Sequence, residues 1–277
     1  MVNFSKIKEF CKNNIGQRKI FNRIVQIYDL FSSLFMLYIL RLILESLNKT
    51  FKILAWRSEI EGKIVYDLAT VLIFIHVINK KNNEFIIKNV VKGIRNNLDQ
   101  FIIGFVLSIV MNSFITLISY VPILKEIITK MFNVQSLPIV GVNSILFMVN
   151  VVLFTPIVEE YIFRKKIFEK VLSSQYKSVA VFVASLLFAV IHYLNIMWAV
   201  LAFAFSILLC EVYKKHGYFG SLSMHIGFNT LTLVNYVINK FLDTLRYDKA
   251  VALLIYIFYF TFGIMILYRM FRKEGYL

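Results

Sequence analysis

The sequence has few of the residues that build disulfide-stapled, linker-joined or soluble domains. Of its 277 residues, two are Cys, three are Pro and 17% are charged. The two cysteines, Cys11 and Cys210, are too few for a disulfide framework or a cysteine-based metal cluster. No Pro-rich linker, internal repeat or hydrophilic second domain interrupts the chain. A single integral membrane domain over residues 1–277 is therefore predicted.

Apolar residues dominate the chain instead. They make up 59% of it, and the mean hydropathy is +0.71, which is typical of a polytopic membrane protein. Several runs without Asp, Glu, Lys or Arg are long enough to cross roughly 30 Å of hydrocarbon. These runs cover residues 101–124, 131–158, 178–210, 217–239 and 250–268. With the 178–210 run split at 193–195, and with weaker candidates at 24–44 and 64–79, we predict an all-α bundle of about eight transmembrane helices.

The basic residues indicate how the chain threads through the membrane. The net charge is +15, and an N-terminus on the cytoplasmic side places most Lys and Arg residues on that side. We therefore expect a multi-pass plasma-membrane protein with both termini cytoplasmic and no N-terminal signal peptide. The positive charge then reflects topology and attraction to the lipid bilayer, not nucleic-acid binding, because no basic and aromatic single-strand platform is evident.

One connector between predicted spans has an amphipathic pattern. Apolar residues from Phe85 to Leu98 recur at helical spacing opposite Lys88, Lys92 and Arg95. This pattern predicts an interfacial helix on the inner leaflet, and a plain cytoplasmic connector is the alternative.

Two adjacent carboxylates, Glu159 and Glu160, lie at the end of a long uncharged run. Ionisable groups in membrane segments are costly, so both are functional candidates. Arg164 follows Glu160 by one helical turn and is placed to pair with it, whereas Glu159 points about 100° away. Pro156 is expected to open the backbone close by. The alternative is a membrane-end cluster solvated by lipid headgroups.

Three polar residues on the following apolar runs complete the candidate site. Glu159 and His192 lie equally far along the chain from the loop between their helices, so they share one level and could hold and deprotonate a water. His225 and Asn229 are spaced i and i+4, which aligns two donors for an oxyanion. Interhelical hydrogen bonding is the alternative for each of them. The other two histidines, His76 and His216, are expected to be structural or solvated.

These residues fall into three motifs that resemble those of a known family. The motifs are Glu159-Glu160-x-x-x-Arg164, Phe188-x-x-x-His192 and His225-x-x-x-Asn229. In residue type, spacing and order they resemble the motifs of the CAAX protease and bacteriocin-processing family, also called the Abi family, of intramembrane glutamic endopeptidases. The resemblance covers about residues 156–232, within a protease core of about 138–240. It gives no role to the N-terminal spans at about 24–124.

The resemblance implies an eight-helix bundle with a cavity open to the cytoplasm and inner leaflet. It implies that Glu159 is the general base on an attacking water, which His192 shares, and that His225 and Asn229 stabilise the oxyanion. Glu160 and Arg164 would orient Glu159, and Phe188 would form a wall of the substrate pocket.

The implied reaction is hydrolysis of a peptide or membrane-protein substrate without a covalent intermediate. No cofactor is expected. Zinc is the alternative, because Glu and His are zinc ligands, but the chain has no His-Glu-x-x-His helix and Arg164 would repel a cation.

Two other functions are compatible with the same sequence. Relatives in low-GC Gram-positive bacteria resemble bacteriocin self-immunity factors, some of them scaffolds, and the Lys, Asn, Ile and Phe richness suits an AT-rich bacterial genome. A proton-coupled transporter could use the same buried groups, although duplicated halves are not found. The sequence assigns neither the substrate, including whether it is prenylated, nor the oligomeric state.

Overall fold

A computed structural model describes residues 87–121, 149–169, 172, 176–192, 196–242 and 249–277. The predicted spans at 24–44 and 64–79 and residues 131–148 of the third run lie outside these ranges. So do Cys11 and His76. The division of the chain into one domain with a core at about 138–240 also rests partly on residues outside them, and it stays a prediction.

All regular structure in the described ranges is helical, as predicted, and two stretches are π-helical with wider i to i+5 turns. The elements in chain order are α1 (Ile87–Asn96), α2 (Leu98–Ser119), π1 (Asn150–Phe154), α3 (Thr155–Glu160), π2 (Tyr161–Phe168), α4 (Lys177–Ile191), α5 (Ile196–Leu242) and α6 (Lys249–Lys273). Helix α2 packs between α5 and α6, and α4 packs against α5 and π2.

Two of these helices are long and apolar enough to cross a membrane. They are Leu98–Ile118 within α2 and Leu253–Lys273 within α6, and α4 is apolar but shorter. Large side chains of α6, among them Leu254, Phe258 and Tyr259, are exposed, as on a lipid-facing surface. Eight transmembrane helices therefore remain a prediction, of which the described part of the chain supplies two long candidates.

The long 178–210 run is divided as predicted, but its second helix continues further than expected. Helix α4 ends at Ile191 and α5 begins at Ile196. Helix α5 then passes through residues 211–216 and bends at Gly217, whose φ of 67° is a conformation that only glycine adopts easily. From the sequence, His216 is expected to lie with Lys214 and Lys215 in a short loop between two helices; these residues are instead helical, and the break between the two halves of α5 comes at Gly217, whose φ and ψ are not helical.

His216 itself is structural, which was one of its two predicted roles. Its Nε2 lies 3.0 Å from Glu274 Oε2, beyond the end of α6, and 3.2 Å from the Gln100 side chain on α2. The bend of α5 and the C-terminal segment are thus tied to the start of α2.

The amphipathic connector is a helix from Ile87 to Asn96, as its spacing predicts, and its position on the inner leaflet stays a prediction. In α1, Val90 is buried and Ile94 packs against the core, whereas Lys92 and Arg95 are exposed. Phe85 and Ile86, at the start of the predicted pattern, lie outside the described residues.

Small residues bring the helices around the site into close contact. Ala180 and Ala184 on α4 are fully buried in the same cluster as Phe163 and Phe168 on π2. A second cluster joins α2, both halves of α5 and α6. Because apolar side chains gain little by leaving lipid for protein, close packing of small residues is the main source of such contacts in a membrane.

The crossing of α2 and α5 depends on two glycines. A Cβ at Gly104 would overlap the Met224 carbonyl, and a Cβ at Gly227 would overlap the Phe101 carbonyl. Since backbone cannot move aside as a side chain does, we expect Gly227→Ala to destabilise the protein by about 1–3 kcal/mol. Thermal unfolding of the purified protein in detergent measures this loss.

Gly263→Ala is the matched control, because a Cβ there meets only a side-chain methyl of Val110. Its effect should be clearly smaller. Equal losses of stability in the two variants would contradict the role assigned to the α2–α5 crossing.

Candidate active site

The acidic pair lies in a helix that is continuous but changes its winding twice. A π-helical turn, π1, comes directly before Pro156 in α3, and π2 begins directly after Glu160. Proline lacks an N–H and clashes with the preceding turn of an α-helix, and the wider π turn accommodates it. The prediction that Pro156 opens the backbone near the acidic pair agrees with this winding: the helix continues in a wider turn, and the Val151 carbonyl of that turn accepts a hydrogen bond from the Asn229 side chain.

Glu160 and Arg164 form the predicted ion pair. Arg164 Nε lies 3.3 Å from Glu160 Oε2, and both side chains are fully buried. The guanidinium carbon also lies 4.9 Å from the centre of the Phe188 ring, a cation–π contact. Among the described residues, Nη1 and Nη2 of Arg164 have no hydrogen-bond partner. Arg164 therefore acts mainly as the buried counter-charge of Glu160.

His225 contacts both carboxylates. Its Nδ1 lies 2.9 Å from Glu160 Oε1, and its Nε2 lies 3.6 Å from Glu159 Oε2. An ionised carboxylate only accepts hydrogen bonds, so Nδ1 donates to Glu160. Sequence reasoning missed this bridge, because it depends on the register between α3 and α5, which no local spacing encodes.

His192 faces Glu159 from the end of α4. Its Nε2 lies 3.5 Å from Glu159 Oε1, and its Nδ1 lies 2.8 Å from the Phe188 carbonyl oxygen. Because that carbonyl only accepts, Nδ1 carries the proton and Nε2 of the neutral ring presents a lone pair to Glu159. The shared level of Glu159 and His192, inferred from chain length, is present in the structure.

The residues of the site differ in exposure within the described part of the chain. The side chains of Glu159 and His192 are 14% and 34% exposed, whereas Glu160 and Arg164 are 0% and His225 is 4% exposed. Glu159 and His192 are therefore the ionisable groups of this cluster that solvent can reach, and Glu160, Arg164 and His225 lie inside the bundle.

Asn229 lies one turn beyond His225 on α5, as its spacing predicted. Its Nδ2 donates to the Val151 carbonyl oxygen of π1 at 2.9 Å. In a π-helix the hydrogen bonds run from i to i+5, which alters which carbonyls are free for such a side chain. The bond uses one amide hydrogen of Asn229 and fixes the position of the other.

Aromatic rings hold the two histidines in place. Phe188 is buried, stacks on His192 with ring centres 4.2 Å apart, and meets Phe163 edge to face. Phe205, which sequence reasoning missed, meets His225 edge to face at 5.5 Å. Because Phe205 lies within a long apolar run, its position in the sequence does not indicate a contact with His225. Phe188 lies beside His192, where the resemblance places a pocket wall.

No group of three or more His, Cys, Asp or Glu side chains in the described ranges has the arrangement of a metal site. Independence of zinc stays a prediction, to be tested directly.

The stretch that carries these contacts matches a known family. Residues 141–231 match the Rce1-like family of type II CAAX prenyl endopeptidases. The match covers about a third of the 277-residue chain and confirms the resemblance inferred from the motifs. No significant match is found among curated proteins or solved structures.

The Rce1-like segment contains every residue of the three motifs. The Rce1-like family is membrane-embedded and generally proteolytic. Protease activity of a CAAX type, within a membrane, is therefore the activity that the family suggests for this chain. The match itself assigns no role to individual residues.

Proposed function

We propose that the Rce1-like segment is an intramembrane glutamic endopeptidase that activates a water between Glu159 and His192. The observation that carries this proposal is the 3.5 Å separation of Glu159 Oε1 and His192 Nε2 on the open side of the site. Both atoms are acceptors, because the proton of the neutral imidazole is on Nδ1, facing the Phe188 carbonyl. Two acceptors this close repel each other unless a donor lies between them.

A water is the donor that suits this geometry. Placed about 2.8 Å from each acceptor, it donates one hydrogen to Glu159 and the other to His192. Its oxygen lone pairs then point away from both groups, toward the open side where a peptide carbonyl would arrive. Glu159 acts as general base, the role that the resemblance to the family implies for it, while His192 orients the water.

His225 and Asn229 would stabilise the oxyanion. Since Nδ1 of His225 donates to Glu160, its Nε2 donates only when the ring is an imidazolium. Arg164 and His225 lie against the two carboxylates and offset the charge of the cluster, which reduces the cost of burying it. The second amide hydrogen of Asn229 is the other donor.

The reaction follows from these assignments. The water oxygen attacks the peptide carbonyl carbon, its proton moves to Glu159, and the carbonyl oxygen becomes an oxyanion near His225 and Asn229. Collapse of the tetrahedral intermediate breaks the C–N bond, and Glu159 returns the proton to the leaving amine. Water is the only co-reactant, so no cofactor is required.

The substrate class follows from the surroundings of the site. Apolar helices surround the acidic pair, and lipid-exposed side chains cover α6. A hydrophobic peptide or a membrane protein, delivered from the bilayer on the cytoplasmic side of a bacterial plasma membrane, fits this setting.

Cleavage of quenched peptides embedded in liposomes tests the proposal. Purified wild-type protein should cleave them equally well with and without a strong zinc chelator. Added hydroxylamine should give no hydroxamate product, because no acyl-enzyme forms. Loss of cleavage with the chelator would identify a metalloenzyme. Absence of cleavage across a broad set of membrane proteins and peptides would favour a scaffold or bacteriocin-immunity role.

The oxyanion assignment gives a separate prediction. Asn229→Ala should lower kcat by about 10²-fold and change KM little, because the donor acts mainly in the transition state. Single-turnover rates in liposomes measure this effect.

Asn97→Ala is the matched control, since Asn97 also donates a side-chain amide hydrogen to a backbone carbonyl, that of Gly93, at the start of α2. Full turnover is expected in this variant. A fall in kcat as large as that of Asn229→Ala would show that loss of any such hydrogen bond is enough, and the oxyanion role would be refuted.

A further inference from the structure

We propose that a cavity beside the acidic pair binds the phosphate group of an anionic lipid headgroup. The cavity has a volume of about 390 Å³ and lies between α1, π2 and the second half of α5. Four polar side chains line it, Asn89, Lys92, Asn96 and Lys165, and the rings of Tyr218 and Phe219 form its floor.

The chemistry of the lining favours an oxyanion of at least one negative charge. Two ammonium groups supply charge and hydrogen bonds, and the carboxamides of Asn89 and Asn96 supply neutral donors. None of the described residues that line the cavity is acidic. A smaller cavity nearby, of about 240 Å³, contrasts with it, because Asp99 and Glu274 line that one along with basic residues. Of these two cavities, the larger has two lysines and no acidic residue among its described lining residues.

The depth of the cavity places it at the level of lipid phosphates. Asn96 ends α1, and the membrane-spanning segment of α2 starts at Leu98. At 1.5 Å per residue, the cavity edge is therefore within a few ångströms of the apolar boundary. Val91 and Leu98 are 59% and 56% exposed beside it, which provides an apolar surface for acyl chains. Basic residues at this depth attract anionic lipid.

The cavity shares its walls with the helix that carries the acidic pair. The Tyr218 hydroxyl donates to the Ile157 carbonyl oxygen of α3 at 2.9 Å, and Lys165 directly follows Arg164. A Cβ at Gly93 would overlap the Phe219 ring, so α1 rests directly on this floor. A bound phosphate joining Lys92 on α1 to Lys165 on π2 would hold α1 against the protease segment.

Native mass spectrometry of the detergent-purified full-length chain tests this site. Phosphatidylglycerol is titrated against wild type, Lys92→Gln/Lys165→Gln and the control Lys166→Gln/Lys177→Gln, which removes the same charge from residues outside the cavity. Loss of two charge-assisted contacts should weaken retention of the first lipid at least tenfold. The control and Lys92→Arg/Lys165→Arg should bind as wild type does. Equal weakening in control and cavity variants would overturn the proposal.

Two further titrations identify the ligand. Phosphatidylcholine, whose phosphate is neutralised by choline, should bind more weakly than phosphatidylglycerol and without dependence on Lys92 and Lys165. Inorganic phosphate at millimolar concentration should not displace the lipid. Displacement by phosphate would identify a soluble phosphate compound as the ligand and overturn the lipid assignment. The same titration with Glu159→Gln keeps binding separate from proteolysis, so the failure of either proposal leaves the other measurable.

Discussion

Replacing Glu159 by Gln should abolish peptide hydrolysis, lowering kcat by about 10²- to 10⁴-fold. The amide has the shape of the carboxylate but cannot accept a proton from the water held with His192. The Glu159 side chain is partly exposed and is not the partner of Arg164, so the fold should survive. Rates of peptide cleavage in liposomes, with thermal unfolding as a check on folding, measure both effects.

Glu211→Gln is the matched control, because Glu211 is also on a described helix, but its side chain is 44% exposed and pairs with Lys214. Its kcat should equal that of wild type. If Glu159→Gln cleaves at the wild-type rate, Glu159 is not the base, and the water-activation mechanism is refuted.

Contacts within one helical turn were predictable from the sequence. Glu160 and Arg164 are four residues apart, and their ion pair follows from helix geometry alone. The pairing of Glu159 with His192 required one more assumption, that two helices of equal length run antiparallel from a short loop. Both inferences depend on spacing along the chain and not on how distant helices pack.

Contacts that depend on helix register were not predictable. The bridge from His225 to both carboxylates requires α5 to lie at one particular height against α3, and the bond from the Tyr218 hydroxyl to the Ile157 carbonyl is one contact at that height. The contact of Phe205 with His225 depends instead on the bend of α5 at Gly217, which lies between them. Apolar runs specify that a helix is buried, but they do not specify its neighbours.

The bends and π-helical turns of the helices were not predictable either. Hydropathy located α2, α4 and α6 to within a few residues, because length and apolarity decide what crosses a membrane. It could not locate the bend of α5, where a single glycine with positive φ takes the place of a loop. Nor could it locate π1, since Pro156 is compatible with a break, a kink or a wider turn.

Replacing Arg164 by Met should be the most destabilising single change at the site. The side chain is fully buried and is the counter-charge of Glu160, so its loss leaves a buried carboxylate with His225 and Ser221 as neighbours and without its guanidinium. Removing one partner of a buried ion pair costs about 3–5 kcal/mol. Thermal unfolding in detergent should show this loss, and proteolysis should fall with it.

The double variant Arg164→Met/Glu160→Gln separates charge from packing. If charge compensation is the role of Arg164, removing the carboxylate charge as well should restore most of the lost stability, because no unpaired ion then remains buried. Lys273→Met, which breaks an exposed pair with Asp99, should change stability little. Proteolysis should stay low in the double variant, since His225 then lacks the Glu160 carboxylate to which its Nδ1 donates. A double variant as unstable as Arg164→Met would instead show that Arg164 stabilises the bundle by filling space beside Phe188.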